Sequence, residues 1–358
     1  MKMNKFLFFT VVLLSIFGII MIYSSSSIWA MYKFNNEYHY LILQSIFLLI
    51  GIIVMYIISK IDYKIYLKYS NIILIICFIL LVLVLIPGIG KVRNGSQSWF
   101  GIGPFGIQPS EAAKIGLIIF TSKYLSSSSV FLGNFKKGVL PILCVLILVF
   151  GLIMLQPDLG TASVLFIAII AMLFVSGVNM KFFVGMGITG LIGLVILIII
   201  APYRMDRITS FINPWKDPLG TGFQIIQSLY AIGPGGLLGQ GFGSSIQKHF
   251  YLPEPQTDFI FSIITEEFGL VGAIIVVSFF LVILYNGFKV ALNCEDKFGK
   301  YLAYGIIFQI MFQALMNLMV VIGMIPVTGV TLPFLSYGGS SLLISCASIG
   351  IILNISRK

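Results

Sequence analysis

The most constraining feature of this sequence is a succession of long apolar stretches, several of them without a single charged residue. Each approaches the about 20 residues that a helix needs to cross the hydrocarbon core of a bilayer. Over the whole chain only 9% of the residues are charged, whereas about a quarter are charged in a typical soluble domain. Because a helix satisfies its own backbone hydrogen bonds inside a bilayer, the sequence predicts an all-α polytopic membrane protein.

Ten membrane spans are predicted from these stretches, and residues 1–358 are interpreted as one transmembrane domain. The spans cover residues 6–28, 41–59, 69–87, 109–125, 138–155, 159–176, 182–202, 258–286, 301–323 and 337–354. An even number of spans places both termini on one side, and most Lys and Arg residues then lie in short loops and tails on that side. Since basic residues mark cytoplasmic loops, both termini are predicted to be cytoplasmic.

The net charge of +10 would favour a nucleic-acid partner in a soluble protein. Here membrane orientation explains the basic residues more simply, and no nucleic-acid partner is expected. The four cysteines and two histidines are scattered, without the spacing of a metal site or a CxxC motif. The sequence therefore predicts no metal-binding motif.

The longest polar segment, residues 203–257, separates the seventh and eighth predicted spans and is expected to be an extracytoplasmic loop. Loops held by a rigid scaffold often carry catalytic residues. Its glycine-rich run, residues 233–243, lacks the GK[ST] ending of a nucleotide-binding loop, yet backbone N–H groups can bind phosphate oxygens. Cations flank this run, with Arg204 and Arg207 before it and Lys248 after it. This combination favours a phosphate-bearing lipid substrate at the outer leaflet.

Asp258 stands where this loop meets the eighth span, next to Phe259 and other aromatic residues. An aspartate at this place can cap the helix that follows, but Thr257 could provide the same cap. Asp258 would then be available for chemistry, because a carboxylate in an environment of low dielectric has a raised pKa and suits general-base work. The capping and catalytic interpretations are both open from the residues alone.

Three further polar segments adjoin predicted spans on the same side. The first contains Arg93 and Trp99 and leads into the fourth span at Ser110, Glu111 and Lys114. An Asn-Gly turn followed by a helix capped by Ser110 would explain much of it. Glu111 and Lys114 lie three residues apart on one helix face, so they can pair with each other or with a ligand.

The second segment contains Asp158, which either caps the sixth span or forms a buried anchor to Arg93, Lys114 or Arg204. The third segment, residues 325–341, holds two prolines and three glycines among largely apolar residues. Such a sequence cannot form a plain span. It predicts a re-entrant turn buried in the bundle, with a structural role.

Eight motifs occur along the chain in the order in which one protein family carries them. They are VRNGSQSW (92–99), QPSE (108–111), QPDLGT (156–161), RITS (207–210), NPW (213–215), GFQIIQS (222–228), TDFIF (257–261) and PFLSYGGS (333–340). Over essentially its whole length the chain resembles the SEDS family of shape, elongation, division and sporulation proteins, which includes FtsW, RodA and SpoVE. The VRNGS motif and YLPEPQTD (251–258) are most similar to the FtsW/SpoVE branch.

The resemblance implies a multi-pass peptidoglycan glycosyltransferase of the cytoplasmic membrane, which polymerises lipid II at its outer face during cell division or sporulation. The implied partners are a class B penicillin-binding protein transpeptidase and other divisome or sporulation membrane proteins. The family's essential aspartate falls on Asp258 and its tryptophan on Trp99. Its motif acids and bases fall on Glu111, Lys114 and Asp158.

In the implied reaction Asp258 takes a proton from the acceptor sugar, and undecaprenyl pyrophosphate leaves the donor sugar. Arg207, Lys248 and Arg93 are expected to stabilise the leaving group, and Glu254 is grouped with them as a substrate-binding residue. The resemblance does not fix a cofactor. A divalent cation, Mg²⁺ or Mn²⁺, is expected to help stabilise the leaving group.

Two alternative functions are a lipid II flippase and a non-catalytic septal scaffold. Charges near the middle of the predicted spans are scarce, which favours the enzyme over the flippase. A scaffold would leave the polar segments on the outer side unexplained. The partner is predicted to dock against the eighth and ninth spans, where Gln309, Gln313 and Asn317 offer amides to another transmembrane helix.

Overall fold

The computed structural model describes residues 3–93, 95–102, 105–127, 133–200 and 202–357. This part of the chain is mostly helical. Its helices are α1 Lys5–Phe34, α2 His39–Ile58, α3 Lys64–Leu83, α4 Pro109–Ser127, α5 Leu140–Met154, α6 Leu159–Val175, α7 Met180–Ile200, α8 Pro202–Ile212, α9 Phe223–Ile232, α10 Ile260–Asn293, α11 Lys297–Val321 and α12 Gly339–Ile355. Its strands are β1 Lys91–Arg93, β2 Ser96–Ile102 and β3 Phe105–Ile107.

Each of the ten predicted spans coincides with one of these helices, and α8 and α9 lie within the segment expected to be a loop. Among the described residues, six helices are long and apolar enough to cross a membrane. They are α1, α2, α3, α10, α11, and α5 together with the π-helical turn Phe135–Val139 before it. Shorter apolar helices include α6, α12 and the first part of α7. The prediction of a polytopic helical membrane protein is confirmed at this level.

Helix α11 forms the centre of the bundle and packs against α4, α6, α9, α10 and α12. The other extensive helix pairs are α2 with α12, α3 with α4, and α1 with both α2 and α10. Close approach depends on small residues. A Cβ atom at Gly350 of α12, for example, would lie 2.7 Å from the backbone carbonyl of Met55 in α2.

A small antiparallel sheet of order β1-β2-β3 precedes α4, where the sequence predicts only a turn and a capped helix. Arg93 pairs with Ser96 across the first turn, and Phe100 pairs with Ile107 in the second ladder. Of the predicted Asn-Gly turn, Gly95 has φ +79°, and Asn94 lies outside the described residues. The strands themselves were missed because two of them are only three residues long, too short to show the alternation of a strand.

Helix α10 is kinked at Gly269, which has φ +61° and ψ −153°. The glycine-rich run packs into the kink, and its amides at Gln240 and Gly241 donate to the carbonyls of Glu266 and Glu267 at 3.0 Å each. In return Leu270 donates to the carbonyl of Gly236 at 2.9 Å. The expectation that this run binds phosphate is therefore wrong for these two amides, because they satisfy carbonyls that the kink leaves without helical partners.

Candidate active site

Asp258 lies in the turn immediately before α10 and is half-buried. Its carboxylate accepts a hydrogen bond from the Thr257 hydroxyl at 2.8 Å. Its backbone carbonyl accepts one from Asn317 Nδ2 at 2.6 Å. Phe259 occupies the N-cap position of α10, without a side-chain cap. The capping interpretation is therefore wrong for both Asp258 and Thr257, and the Asp258 carboxylate remains available for chemistry.

Burial raises the pKa of Asp258 to about 6, and the hydrogen bond from Thr257 opposes this rise. The negative charge of Glu254 raises the pKa further, whereas the positive charge of Arg207 lowers it. A carboxylate with this pKa is largely ionised at neutral pH and yet holds a proton more readily than an ordinary aspartate. These are the properties of a general base.

Arg207 lies in α8, and its positive charge acts on the Asp258 carboxyl. Its guanidinium Nη1 donates to the backbone carbonyl of Val327 at 3.1 Å, and much of the side chain is exposed. Val327 belongs to the α11–α12 connection, residues 322–338, which contains no regular helix or strand. The structure thus brings Asp258, Arg207 and this connection together.

Glu254 shapes the turn that leads to Asp258. Its φ is +45°, which is uncommon for a residue with a side chain. Its carbonyl accepts a hydrogen bond from the backbone amide of Thr257 at 3.1 Å. It also lies 2.8 Å from the Thr257 hydroxyl, whose single proton it shares with the Asp258 carboxylate. The Glu254 side chain is exposed, and its charge contributes to the raised pKa of Asp258.

Lys248, which the sequence predicts to stabilise the leaving group, is buried. Its Nζ donates to the Gly243 carbonyl at 2.6 Å and lies 3.4 Å from Glu267 Oε1. Ser24 of α1 donates to the same Glu267 oxygen at 2.6 Å. Lys248 therefore ties the glycine-rich run to α10 and, through Glu267, to α1. A direct role for Lys248 in stabilising the leaving group stays a prediction.

Glu111 and Lys114 form a buried ion pair in α4, with 2.8 Å between Lys114 Nζ and Glu111 Oε1. Lys114 Nζ also donates to Gln313 Oε1 of α11 at 2.8 Å. Gln313 in turn donates from Nε2 to the carbonyl of Thr331 at 3.1 Å. The predicted pairing of the two charges is confirmed. Pro109, rather than a Ser110 cap, begins the helix.

Asp158 caps α6 by accepting from the backbone amide of Thr161 at 3.0 Å. Its other carboxylate oxygen accepts from Gln108 Nε2 at 3.1 Å. Burial raises the pKa of Asp158, while the hydrogen bond from Thr161 and the positive charge of Lys114 lower it. The capping interpretation is confirmed. Of the three cations proposed for an anchor, Lys114 acts on this carboxyl through its charge, and the side chains of Arg93 and Arg204 lie outside the described part of the structure.

Two other predicted residues lie in the sheet. Trp99 is in β2 opposite Lys91 and is half-buried. Arg93 ends β1, but its side chain lies outside the described part of the structure, as does that of Arg204 in α8. Their predicted contacts with substrate and with Asp158 stay predictions.

The amides predicted to face a partner helix instead face the interior. Gln309, Gln313 and Asn317 are all buried, and the last two donate to carbonyls of the α11–α12 connection. This part of the docking prediction is wrong because an irregular segment inside a helical bundle needs donors for its backbone carbonyls. The four-residue spacing of the amides places them on one face of α11. This spacing is the sequence feature that indicates a shared polar environment for the three side chains.

Within the described ranges no three His, Cys, Asp or Glu side chains come together as a metal site. Near Asp258, the carboxylate of Glu254 is close enough for its charge to raise the Asp258 pKa. A divalent cation would therefore need ligands from the substrate as well, for example phosphate oxygens. Its involvement stays a prediction.

Comparison with known proteins agrees with the motifs. A family model for FtsW, RodA and SpoVE, described as a cell cycle protein, matches residues 4–358. Stage V sporulation protein E of Bacillus subtilis (strain 168) is 51% identical over 348 residues, which is 97% of this chain and 95% of that protein. A probable peptidoglycan glycosyltransferase FtsW of Geobacter sp. (strain M18) is 42% identical over 97% of this chain and 95% of its own length.

Solved structures share the fold. A chain in a peptidoglycan synthase complex that coordinates polymerization and crosslinking superposes with a TM-score of 0.81 at 30% identity, covering 100% of this chain and 98% of that one. The rod shape determining protein RodA of Thermus thermophilus superposes with a TM-score of 0.74 at 28% identity, covering 100% of this chain and 97% of RodA. The motifs, the family model and the shared fold together show that this chain belongs to the FtsW, RodA and SpoVE family, the SEDS proteins.

Proposed function

We propose that this chain is a peptidoglycan glycosyltransferase that polymerises lipid II at the outer face of the cytoplasmic membrane, with Asp258 as its general base. The observation that carries the proposal is the half-buried carboxylate of Asp258, with a pKa of about 6. It stands at the start of α10, within the influence of Arg207. The relatives named as peptidoglycan glycosyltransferases supply the reaction class.

In the proposed reaction Asp258 accepts the proton of the 4-hydroxyl of the acceptor's N-acetylglucosamine. The oxygen attacks the anomeric carbon of the donor's N-acetylmuramic acid with inversion, as the bond from that carbon to the pyrophosphate breaks. Undecaprenyl pyrophosphate leaves with its negative charge, which Arg207 stabilises. General-base assistance of this kind contributes about 10²–10⁴-fold to the rate.

The remaining site residues form the surroundings of this centre. Glu111, Lys114 and Asp158 stabilise the helices on one side of the proposed substrate site. Within this group the Lys114 ammonium links α4 to α11 through Gln313. We propose that Arg93, Trp99 and Glu254 contact the sugar or pyrophosphate parts of the substrate. Lys248 contributes through its ion pair with Glu267. A divalent cation, if held by Asp258, Glu254 and the pyrophosphate oxygens, would add positive charge that stabilises the leaving group.

The topology proposed for residues 1–358 is a single transmembrane domain of ten spans with both termini in the cytoplasm. Helices α1–α7 and α10–α12 are the spans, and α8 and α9 belong to the extracytoplasmic segment. The distribution of Lys and Arg supports this orientation. It places the start of α10, and with it Asp258, on the outer side.

The proposed partner is a class B penicillin-binding protein, with other divisome or sporulation membrane proteins in the same assembly. Support comes from the structural neighbour in a synthase complex that coordinates polymerization and crosslinking. The docking surface proposed is the lipid-facing side of α10 and α11, where Ile274 and Leu315 are exposed apolar residues. Shape and van der Waals packing, rather than the buried amides, would hold a partner helix there.

Flipping of lipid II is the second candidate, because the buried ion pair of Glu111 and Lys114 resembles the intramembrane charges of transport paths. An assay in detergent separates the two. The purified chain with its partner transpeptidase should form glycan strands from lipid II, although no bilayer is present to be crossed. Absence of polymer in detergent, together with movement of lipid II across liposomes that contain the chain, would instead establish the flippase.

A further inference from the structure

The α11–α12 connection has no regular secondary structure and is mostly buried over residues 330–336, so its backbone carbonyls need donors from other elements. Among the described residues, four of these carbonyls receive side-chain hydrogen bonds. One is the carbonyl of Ser336, which accepts from Gln44 of α2 at 3.2 Å. The carbonyl of Val327 is bound by Arg207, that of Val330 by Asn317 at 2.8 Å, and that of Thr331 by Gln313. Arg207 acts on the Asp258 carboxyl, Asn317 binds the Asp258 backbone, and Gln313 accepts from Lys114. The connection therefore joins these groups physically.

The side-chain nitrogen of Asn317 donates two hydrogen bonds, one to the connection and one to the Asp258 backbone. Nδ2 donates to the carbonyl of Val330 at 2.8 Å and to the backbone carbonyl of Asp258 at 2.6 Å. The side chain is 1% exposed, and α11 is the central helix of the bundle. Its other amide atom, Oδ1, has no hydrogen-bond partner among the described residues. Leaving this buried oxygen without a partner costs stability. The two hydrogen bonds donated by Nδ2 explain why an amide side chain nevertheless occupies this position.

The two hydrogen bonds connect the general base to its cation. Asn317 fixes the backbone of Asp258 to Val330, and three residues earlier in the same connection Val327 accepts from Arg207. The charged and polar groups that act on the Asp258 carboxyl are Thr257 and Glu254 from its own turn and Arg207 from α8. Loss of the Asn317 amide would free the Asp258 carbonyl from the connection that also holds Arg207, while the Tyr337 amide of the connection would still donate to the Gln256 carbonyl at 2.8 Å.

We propose that Asn317 is a positioning residue for the glycosyltransferase reaction, whose amide fixes Asp258 relative to Arg207 and keeps the Asp258 carboxylate half-buried. This inference rests on the proposed role of Asp258 as general base. Asn317 acts through the Asp258 backbone and not on the substrate. Its loss should therefore lower kcat and leave KM for lipid II nearly unchanged.

The test replaces Asn317 with leucine, a side chain of similar size without donors, and uses Gln309→Leu as the matched control. Gln309 is equally buried on the same face of α11, and its amide donates to Gln313 rather than to the connection. Asn317→Ser, which keeps one donor in a smaller side chain, covers the case in which leucine does not fit. Each purified variant is measured for melting temperature, kcat and KM, and for the pH dependence of kcat.

We expect Asn317→Leu to lower kcat about 10²-fold, the scale of a displacement of about 1 Å at a reacting group. The acid limb of the pH profile should move below the value of about 6 set by buried Asp258, because a released turn exposes the carboxylate to water. Gln309→Leu should lower the melting temperature without moving the limb. If Asn317→Leu and Asn317→Ser both keep the wild-type kcat and acid limb, the inference is wrong.

The same assays distinguish this inference from the proposed function. If Asp258→Asn abolishes polymerisation but the Asn317 variants behave like Gln309→Leu, only the positioning role is rejected. If Asp258→Asn still polymerises lipid II, the general-base assignment on which the inference rests is itself rejected.

Discussion

At the scale of single residues, the chemistry depends on how burial and charge act on Asp258. Burial raises its pKa to about 6, and Arg207 limits the rise. A general base works when ionised, so kcat should fall as the pH is lowered through about 6. Initial rates at saturating lipid II between about pH 4 and 8 would measure this limb. A rate that stays constant down to the ordinary aspartate pKa, about 4, would contradict the assignment.

The raised pKa of Asp258 also affects the stability of the fold. Activity should increase as the pH rises through about 6, whereas the contribution of this group to stability decreases. A carboxyl group whose folded pKa is above its unfolded value of 3.8 binds its proton more tightly in the folded state. Its contribution therefore becomes less favourable to folding as the pH rises from about 4 to about 6. The site gains a base suited to neutral pH at some cost in stability.

Residue contacts were predictable where they depend on spacing along one helix. The pairing of Glu111 with Lys114 follows from their separation of three positions in α4, and capping by Asp158 follows from its place before α6. The prediction that Asn317 faces a partner helix is wrong because its hydrogen-bond partners lie in distant segments. Whether a polar residue of an apolar helix faces inward depends on what packs beside it, which a single sequence does not contain.

At the scale of elements, the kink of α10 organises the glycine-rich run and the buried pair of Lys248 and Glu267. Gly269→Ala should strongly lower the melting temperature in detergent. Its φ of +61° disfavours a side chain, and a Cβ atom there would lie 2.5 Å from the backbone amide of Gly239. Gly185→Ala in α7 is the matched control, since a Cβ atom added there would meet no atom of the described residues within 4 Å. Equal melting temperatures for the two variants would show that the kink is not required.

The apolar stretches located ten helices correctly because a long hydrophobic run is a strong signal. The kink, the strands and helices α8 and α9 were not predicted. The kink forms only when the glycine-rich run supplies donors to the carbonyls of Glu266 and Glu267. The short elements have too few residues for a clear hydrophobic period, so their placement depends on packing against the bundle.

At the scale of the whole molecule, the proposed docking surface predicts where a partner's transmembrane helix will crosslink. Ile274→Cys in α10 should form a disulfide with a cysteine placed in the partner helix, in a background in which exposed Cys144 is replaced. Ile53→Cys in α2 is a control of similar exposure on another face of the bundle. Crosslinking through α2 but not through α10 would place the partner on the other side of the molecule.

The central claim, that the carboxylate of Asp258 is the general base for lipid II polymerisation, is tested most directly by glycan synthesis with Asp258→Asn. The variant keeps the size of the side chain and should remain folded, but it cannot accept the proton. We expect no glycan strands from purified lipid II, with a melting temperature close to that of the wild type. Glu295→Gln, which neutralises an exposed carboxylate at the opposite end of α10, should polymerise normally. Near-normal glycan strands from Asp258→Asn would contradict the account.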